Sequence, residues 1–453
     1  MTFEKISLKI LEKALNQLES GFEALPDIEH NYNAEKIEKI ILDTAEIMKN
    51  NYPYFHPYYA GQMIKPPHPV ARIAYMLSLW VNPNNHALDG GRASSQLEKE
   101  AVAELAKLFG WNNFLGHLTS GGTMANMEAL WISGKTKPDQ KIVASEQAHY
   151  THQRISDVLG LRFQSIPCDE RARLHIPSLK RILNQGDIGT VVATIGTTGT
   201  GSVDPLPELL ELKEQYDFRL HADAAYGGYF ILADNLDSDT QRVYDCLHKV
   251  DSIVIDPHKH GLQPYGCGCI LYRNPEVGKF YKHDSPYTYF TSPELHLGEI
   301  SLECSRPGAS AVALWSTQKL LPLVPNQEFA QGLSKARNAA LKLYEKISSD
   351  ERFKTLFSPE LDILVWAPNG VRASQISKQT HKIFRVAAEN NLHLATFNYP
   401  SSLLKNKWVD VIFDQQNVTC LRSCLMKPEH YDWVERIWNI LDSVVMIKPA
   451  TTA

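Results

Sequence analysis

Two periodicities alternate through the middle of the chain. Ser95 to Phe109 places Leu97, Val102, Leu105 and Leu108 on one helical face. Short β-branched runs separate such stretches: Lys141-Ile-Val-Ala, Thr190-Val-Val-Ala-Thr-Ile, Arg219-Leu-His-Ala and Ser252-Ile-Val-Ile. Each follows a helical pattern or a turn. From Val70 to about Pro325 this alternation predicts an α/β unit, a mostly parallel sheet with helices on both faces. Ligands bind such sheets where the strands end at their carboxyl side.

The flanks read differently. Residues 1–69 form helical patterns broken by Tyr52-Pro-Tyr-Phe-His-Pro-Tyr-Tyr. Within Met1 to Asn16, Lys5, Lys9, Glu12 and Lys13 interrupt the apolar positions at helical spacing, so an amphipathic helix is expected there. Such a segment cannot close a core alone. Residues 326–453 show a long helix, a strand near Ile363-Leu-Val-Trp, a helix from about Ala373 to Asn391, a strand from Val418 to Met426 and a last helix from about Glu429 to Val445. This predicts a small α+β domain. Three units are thus expected: 1–69, 70–325 and 326–453.

Composition narrows the class. At 453 residues the chain is too long for one core. Its 46 basic and 51 acidic residues leave a net charge of −5, with the signs mixed, so no basic block offers itself to nucleic acid or an anionic membrane. No apolar run approaches the ~18 residues of a membrane span. The start lacks an apolar signal core, and a cytoplasmic location is expected. The seven cysteines are scattered, and neither Cys267/Cys269 nor Cys420/Cys424 has a zinc spacing. Reduced thiols and no bound metal follow.

Three motifs carry chemistry. Thr119-Ser-Gly-Gly-Thr-Met-Ala-Asn opens a helical pattern with small residues. Free backbone N–H groups and the helix dipole there suit a phosphate, with hydroxyls from Ser120 and Thr123. The plain alternative is an ordinary capped helix start. Leu220-His-Ala-Asp-Ala-Ala-Tyr-Gly-Gly places Asp223 at the end of an apolar strand. A carboxylate there can pair with the pyridine nitrogen of pyridoxal phosphate (PLP) and keep that ring an electron sink, with the small Ala225 flat against it. The alternative is an Asp capping the next helix. Ser252-Ile-Val-Ile-Asp-Pro-His-Lys-His-Gly puts Lys259 directly after a buried strand, a poor place for a solvated charge. A Schiff base to an aldehyde cofactor resolves that conflict. Phosphate cradle, ring-nitrogen partner and aldehyde-binding amine occur in that order, and jointly they are far more specific than any one.

These motifs resemble the group II PLP-dependent amino-acid decarboxylases of the fold type I, aminotransferase-like superfamily. That family includes aromatic amino-acid, glutamate, histidine and archaeal tyrosine/aspartate decarboxylases, with sphingosine-phosphate lyase a close relative. The likeness covers most of the chain. It also takes in His56-Pro57, Ala193-Thr-Ile-Gly-Thr-Thr-Gly-Thr-Gly-Ser-Val-Asp-Pro and Leu421-Arg-Ser-Cys-Leu-Met-Lys-Pro. The resemblance implies that Lys259 carries PLP, Asp223 binds its ring nitrogen and His149 stacks over the ring. It implies that Thr198 lies near the phenolic oxygen, and that Gly121, Gly122, Thr123 and His258 hold the phosphate. Arg422 matches an arginine that contacts the substrate carboxylate in glutamate decarboxylases; a strand-end salt bridge is the alternative.

His283-Asp-Ser-Pro-Tyr-Thr-Tyr-Phe falls where the family has a mobile loop with a proton-donating tyrosine. Tyr287 fits best by its Pro-Tyr context, and Tyr289 is second. The family implies a homodimer with shared active sites, residues 1–69 packing on the second copy and either the Tyr287 loop or Ser305-Arg306 reaching across. The sequence departs from the family at His260, where many members have Trp, and Glu303-Cys-Ser-Arg-Pro-Gly-Ala is closer to the lyase and archaeal branches. The expected reaction is decarboxylation of an L-amino acid to its amine. An aldolase-type Cα–Cβ lyase and a non-catalytic PLP-binding subunit are the alternatives. Phe55, Tyr58, Tyr59 and Trp80 tilt the substrate toward an aromatic amino acid, while Arg422 keeps an acidic one open.

Overall fold

The computed structural model describes residues 5–26, 28–29, 31–282 and 301–446. Seven strands form the larger sheet: β1 (Leu115–Thr119), β2 (Lys141–Ser145), β3 (Phe163–Ile166), β4 (Ile188–Thr194), β5 (Arg219–Asp223), β6 (Ser252–Ile255) and β7 (Gly268–Tyr272). Their order is β1-β7-β6-β5-β4-β2-β3. The pairs from β3 through β6 are all parallel. Parallel neighbours need a crossover. Helices Thr151–Val158, Ile176–Leu183, Leu206–Gln215 and Ser238–Cys246 supply one between each successive pair of strands from β2 to β6. Every residue of β4 and β6 is buried, which is why these strands read as unbroken apolar runs.

The connection from β6 to β7 contains no helix, so β7 runs antiparallel to β6, and also to β1. The same short connection carries Lys259. Strands β1, β3 and β7 were not read from the sequence: β1 and β7 each contain a glycine, and all three are short. After β3 the chain returns to the opposite side of β2. That reversal is a topological switch point, where open sheets of this kind bind ligands.

The second sheet is antiparallel throughout, ordered β10-β11-β9-β8. It comprises β8 (Phe353–Thr355), β9 (Ile363–Pro368), β10 (Ala395–Pro400) and β11 (Asn417–Cys424). Helices Glu328–Ser348, Ala373–Glu389 and His430–Met446 pack with it around Leu343, Leu364, Trp366, Ile383, Leu421 and Ile437. The expected helices and strands of this part are all present within a few residues.

An amphipathic helix is present at Lys5–Glu19, and it buries only Leu11. Helix Ala34–Met48 buries nothing and leaves Ile37, Ile40, Ile41 and Ile47 exposed. Among the described residues no helix is long and apolar enough to cross a membrane.

Candidate active site

A cavity of about 340 Å³ opens at the carboxyl ends of β2, β4, β5 and β6. Its wall contains Gly121, Gly122 and Thr123 from the turn after β1, and His149 from the turn after β2. Thr198, Asp223, Ala225, His258 and Lys259 complete the expected set. Five connections of the sheet thus bring together every expected cofactor residue.

The glycine turn is tight for a reason. Gly121 has φ +153°, and a Cβ there would meet the His258 ring at 3.3 Å. A Cβ on Gly122 would stand 2.6 Å from Asp256 Oδ2. Gly122 begins the 15-residue helix Gly122–Thr136, whose first N–H groups have no helical partner. The Ser120 N–H, at the turn, donates to Glu303 Oε2 at 2.8 Å. An amide here therefore already donates to an anionic oxygen.

Asp223 is the last residue of β5 and is 5% exposed. Its Oδ2 accepts from His152 Nε2 at 2.9 Å, and its Oδ1 accepts from the Ala225 N–H at 3.2 Å. Burial alone would raise this carboxyl. The His152 bond and the charges of His152 and Lys259 outweigh it and hold Asp223 well below the usual carboxylate range. The site therefore holds an ionised carboxylate in a buried place.

His149 is partly buried, and burial lowers it. Its Nδ1 lies 2.8 Å from Thr151 Oγ1 and accepts from the Thr151 N–H at 3.4 Å. An amide can only donate, so the neutral ring carries its proton on Nε2. Lys259 Nζ sits 3.1 Å from Asp256 Oδ2, and His258 Nε2 lies 3.5 Å from the same oxygen. Burial also lowers His258.

The sequence reading missed His152 and Asp256. Asp256 stands one helical turn before Lys259, and His152 the same distance after His149; that spacing was the available signal. Thr194 and Tyr226 also line the cavity. Thr194 faces Asp223 across the β4–β5 pair, a relation only the register reveals.

Other expected residues fall elsewhere. Arg422 lies on β11, 4% exposed, and is not in the cavity wall. Its charge acts on Tyr226, which is. Arg422 Nη1 reaches Gln62 Oε1 at 3.5 Å, while Nε and Nη2 find no partner among the described residues. Phe55, Tyr58, Tyr59 and Trp80 do not line this cavity. The proline-rich segment instead packs toward the small sheet, where the Ala60 N–H donates to the His393 carbonyl. Trp80 is 62% exposed. Their case for an aromatic substrate is therefore withdrawn. Arg306 does not reach outward: Nη1 bonds Glu98 Oε1 at 2.5 Å and the Leu118 carbonyl at 2.9 Å, and Nη2 bonds the Asn85 carbonyl. Tyr287 and Tyr289 lie outside the described residues.

A lysine amine, a buried carboxylate and a glycine cradle at one parallel sheet edge define a fold type I PLP enzyme. The model of the pyridoxal-dependent decarboxylase conserved domain matches residues 22–367, and the chain belongs to that family. It is 32% identical to a probable L-tyrosine/L-aspartate decarboxylase of Methanothermobacter thermautotrophicus, over 57% of this chain and 70% of the relative. It is 32% identical to the L-aspartate decarboxylase of Thermococcus kodakarensis, over 63% and 73%. The L-tyrosine decarboxylase of Enterococcus faecium is 27% identical over 58% and 60%. The fold resembles that of mouse CSAD in apo form, at TM-score 0.78 and 18% identity, covering 97% of this chain and 99% of that one. Oryza sativa TDC with PLP and tryptamine gives TM-score 0.78 at 14% identity, covering 98% and 99%. The protein is a PLP-dependent carboxy-lyase acting on an amino acid.

The cavity fits the cofactor. Thr194 Oγ1, Asp256 Oδ1 and His258 Nδ1 are buried without a partner among the described residues, in a wall that also holds an amine and an ionised carboxylate. Buried polar atoms of this kind call for a polar ligand.

Proposed function

We propose that the cavity around Lys259 decarboxylates an acidic L-amino acid of the aspartate type, with tyrosine as the second substrate to test. The observation that carries the site is that Lys259 and a His152-held Asp223 stand at neighbouring strand ends of one cavity. Lys259 binds the cofactor through its amine. Gly121, Gly122, Thr123 and His258 present donors to its phosphate. His149 and Ala225 would pack against the ring, and Thr198 would stand near its phenolic oxygen. Asp223 holds a proton at the ring nitrogen. Bound PLP supplies an electron sink for the bond to the departing carboxylate. Residues around the ring select that bond by orientation. Tyr287 returns a proton to the substrate Cα.

The acidic substrate is favoured by Arg422, which stands outside the cavity wall but whose charge acts on Tyr226 within it. Two of its guanidinium nitrogens are buried and have no partner among the described residues, an expensive arrangement that a substrate carboxylate would relieve. Relatives named for aspartate and for tyrosine support testing both. The exposed isoleucines of Ala34–Met48 support a homodimer in which residues 1–69 pack on the second copy. Residues 70–325 would then form the cofactor-binding unit and 326–453 the smaller one. The test is direct: purified protein, PLP and each standard L-amino acid, with amine products read by mass spectrometry. β-Alanine from aspartate is the expected product. Turnover of tyrosine alone would replace the acidic reading with the aromatic one.

A further inference from the structure

A second cavity, of about 390 Å³, shares no lining residue with the one around Lys259. Two of its residues are lysines, Lys65 and Lys427, which are only 9% and 3% exposed. Lysine is almost never buried to this extent unless it is paired. Here neither amine lies within 4.0 Å of a carboxylate among the described residues. Lys427 Nζ donates to the Tyr59 carbonyl at 2.6 Å and lies over the Tyr59 ring. Lys65 Nζ reaches the Met426 carbonyl at 3.4 Å.

The acidic groups nearby do not supply the missing charge. Asp362 attracts Lys65 but makes no ion pair with it; its Oδ1 accepts from the Tyr226 hydroxyl at 2.6 Å, and its Oδ2, 3.3 Å from His260 Nε2, has no hydrogen-bond partner among the described residues. Glu328 and Glu429 line the cavity and are exposed, so water screens them. The consequence shows in the amines. Burial lowers Lys65 to about 8, and burial together with the charge of Lys65 lowers Lys427 to about 7. His260, 1% exposed, also lines the space, and neither ring nitrogen has a hydrogen-bond partner among the described residues. The remaining wall is largely apolar, with Pro66, Leu262, Phe329 and Leu333.

We propose that this cavity is a second ligand site, for a small organic anion with an apolar body. The anionic head sits between Lys65 and Lys427, and the body lies against Leu262 and Phe329. An anion there supplies both ammonium groups with the counter-charge that the chain withholds, in surroundings where charge-assisted hydrogen bonds are strong. The head is a carboxylate or a phosphate, the two groups that present several acceptor oxygens to paired amines. His260 directly follows Lys259, so the occupant lies one residue along the chain from the cofactor lysine.

The test uses PLP-loaded protein reduced with borohydride, so that the Lys259 cavity is covalently filled. Benzoate and inorganic phosphate are each titrated in by calorimetry. The account expects one site per chain for at least one of them, and the better binder identifies the head group. Lys427→Met and Lys65→Met should each weaken binding about tenfold or more, while Lys180→Met, on the surface, leaves it unchanged. Removing a buried charge should leave the fold intact, which circular dichroism checks. Crystals soaked with 4-iodobenzoate give a readout that needs no variant: the iodine signal should lie in the cavity beside Lys65 and Lys427. No heat from either anion, wild-type affinity in both lysine variants, or iodine bound only elsewhere would overturn the proposal.

Discussion

The two sheets handle buried charge in opposite ways. In the large sheet the charged groups stand at carboxyl strand ends, and each has a charged or titratable partner close by. Asp223 has His152, and Lys259 has Asp256. In the small sheet and the turn after it, Arg422 and Lys427 are as deeply buried but meet no carboxylate among the described residues. The parallel edge is built to set protonation states before anything binds. The antiparallel side is left with charge that a ligand must complete. Changes at the first should therefore alter chemistry, and changes at the second should alter recognition.

The largest effect is expected at Lys259. Lys259→Ala should abolish turnover and leave no cofactor fixed by borohydride, as peptide mass mapping will report. Asp223→Asn comes next. It should retain the cofactor yet lose about 10²–10³-fold in kcat, the usual cost of removing one preorganised electrostatic group. Near-normal kcat would mean that the edge does not set the chemistry.

Arg306→Met should be the most damaging change to stability. It strands Glu98, 1% exposed, without its cation, and removing one partner of a buried pair costs about 3–5 kcal/mol. Urea titration will show the loss; an unchanged midpoint would contradict the reading of Arg306 as internal support.

His152→Ala should have a smaller effect with a clear signature. Asp223 is depressed in the folded protein, so its contribution to stability is present above its unfolded value and lost only as pH falls through the lower folded value. Without His152, burial dominates and the Asp223 value rises. The acid limb of kcat/KM should then move to higher pH, with about a tenfold loss at neutrality. A merely structural histidine would lower activity without moving that limb. The smallest effect is expected at Arg422. Arg422→Met should raise KM for aspartate about tenfold or more while leaving the cofactor spectrum unchanged. Equal loss with every amino acid would place Arg422 in general support.

The strand-end motifs were legible because each needs only local pattern: Asp223 and Lys259 follow apolar runs, and Gly121-Gly122 opens a helix. Their convergence was legible only through the fold class. His152 was missed because its role depends on how two connections face each other, whereas Asp256, three residues before Lys259 in the same connection, was a local signal passed over. Arg422 was named but not placed: strand pattern gives depth of burial, not which wall a side chain joins. The aromatic segment misled for a related reason. Aromatic content near an expected pocket says nothing about the side on which the chain packs, and here it packs on the small sheet.

The most direct test of the central claim follows the carboxyl carbon itself. Wild-type protein with PLP would receive L-aspartate and L-tyrosine labelled with ¹³C at C1, one at a time, with ¹³CO₂ and product measured together. The account predicts ¹³CO₂ and the corresponding amine in equal amounts, and neither from Lys259→Ala. Label retained in a product cleaved between Cα and Cβ, or turnover that survives in Lys259→Ala, would contradict it.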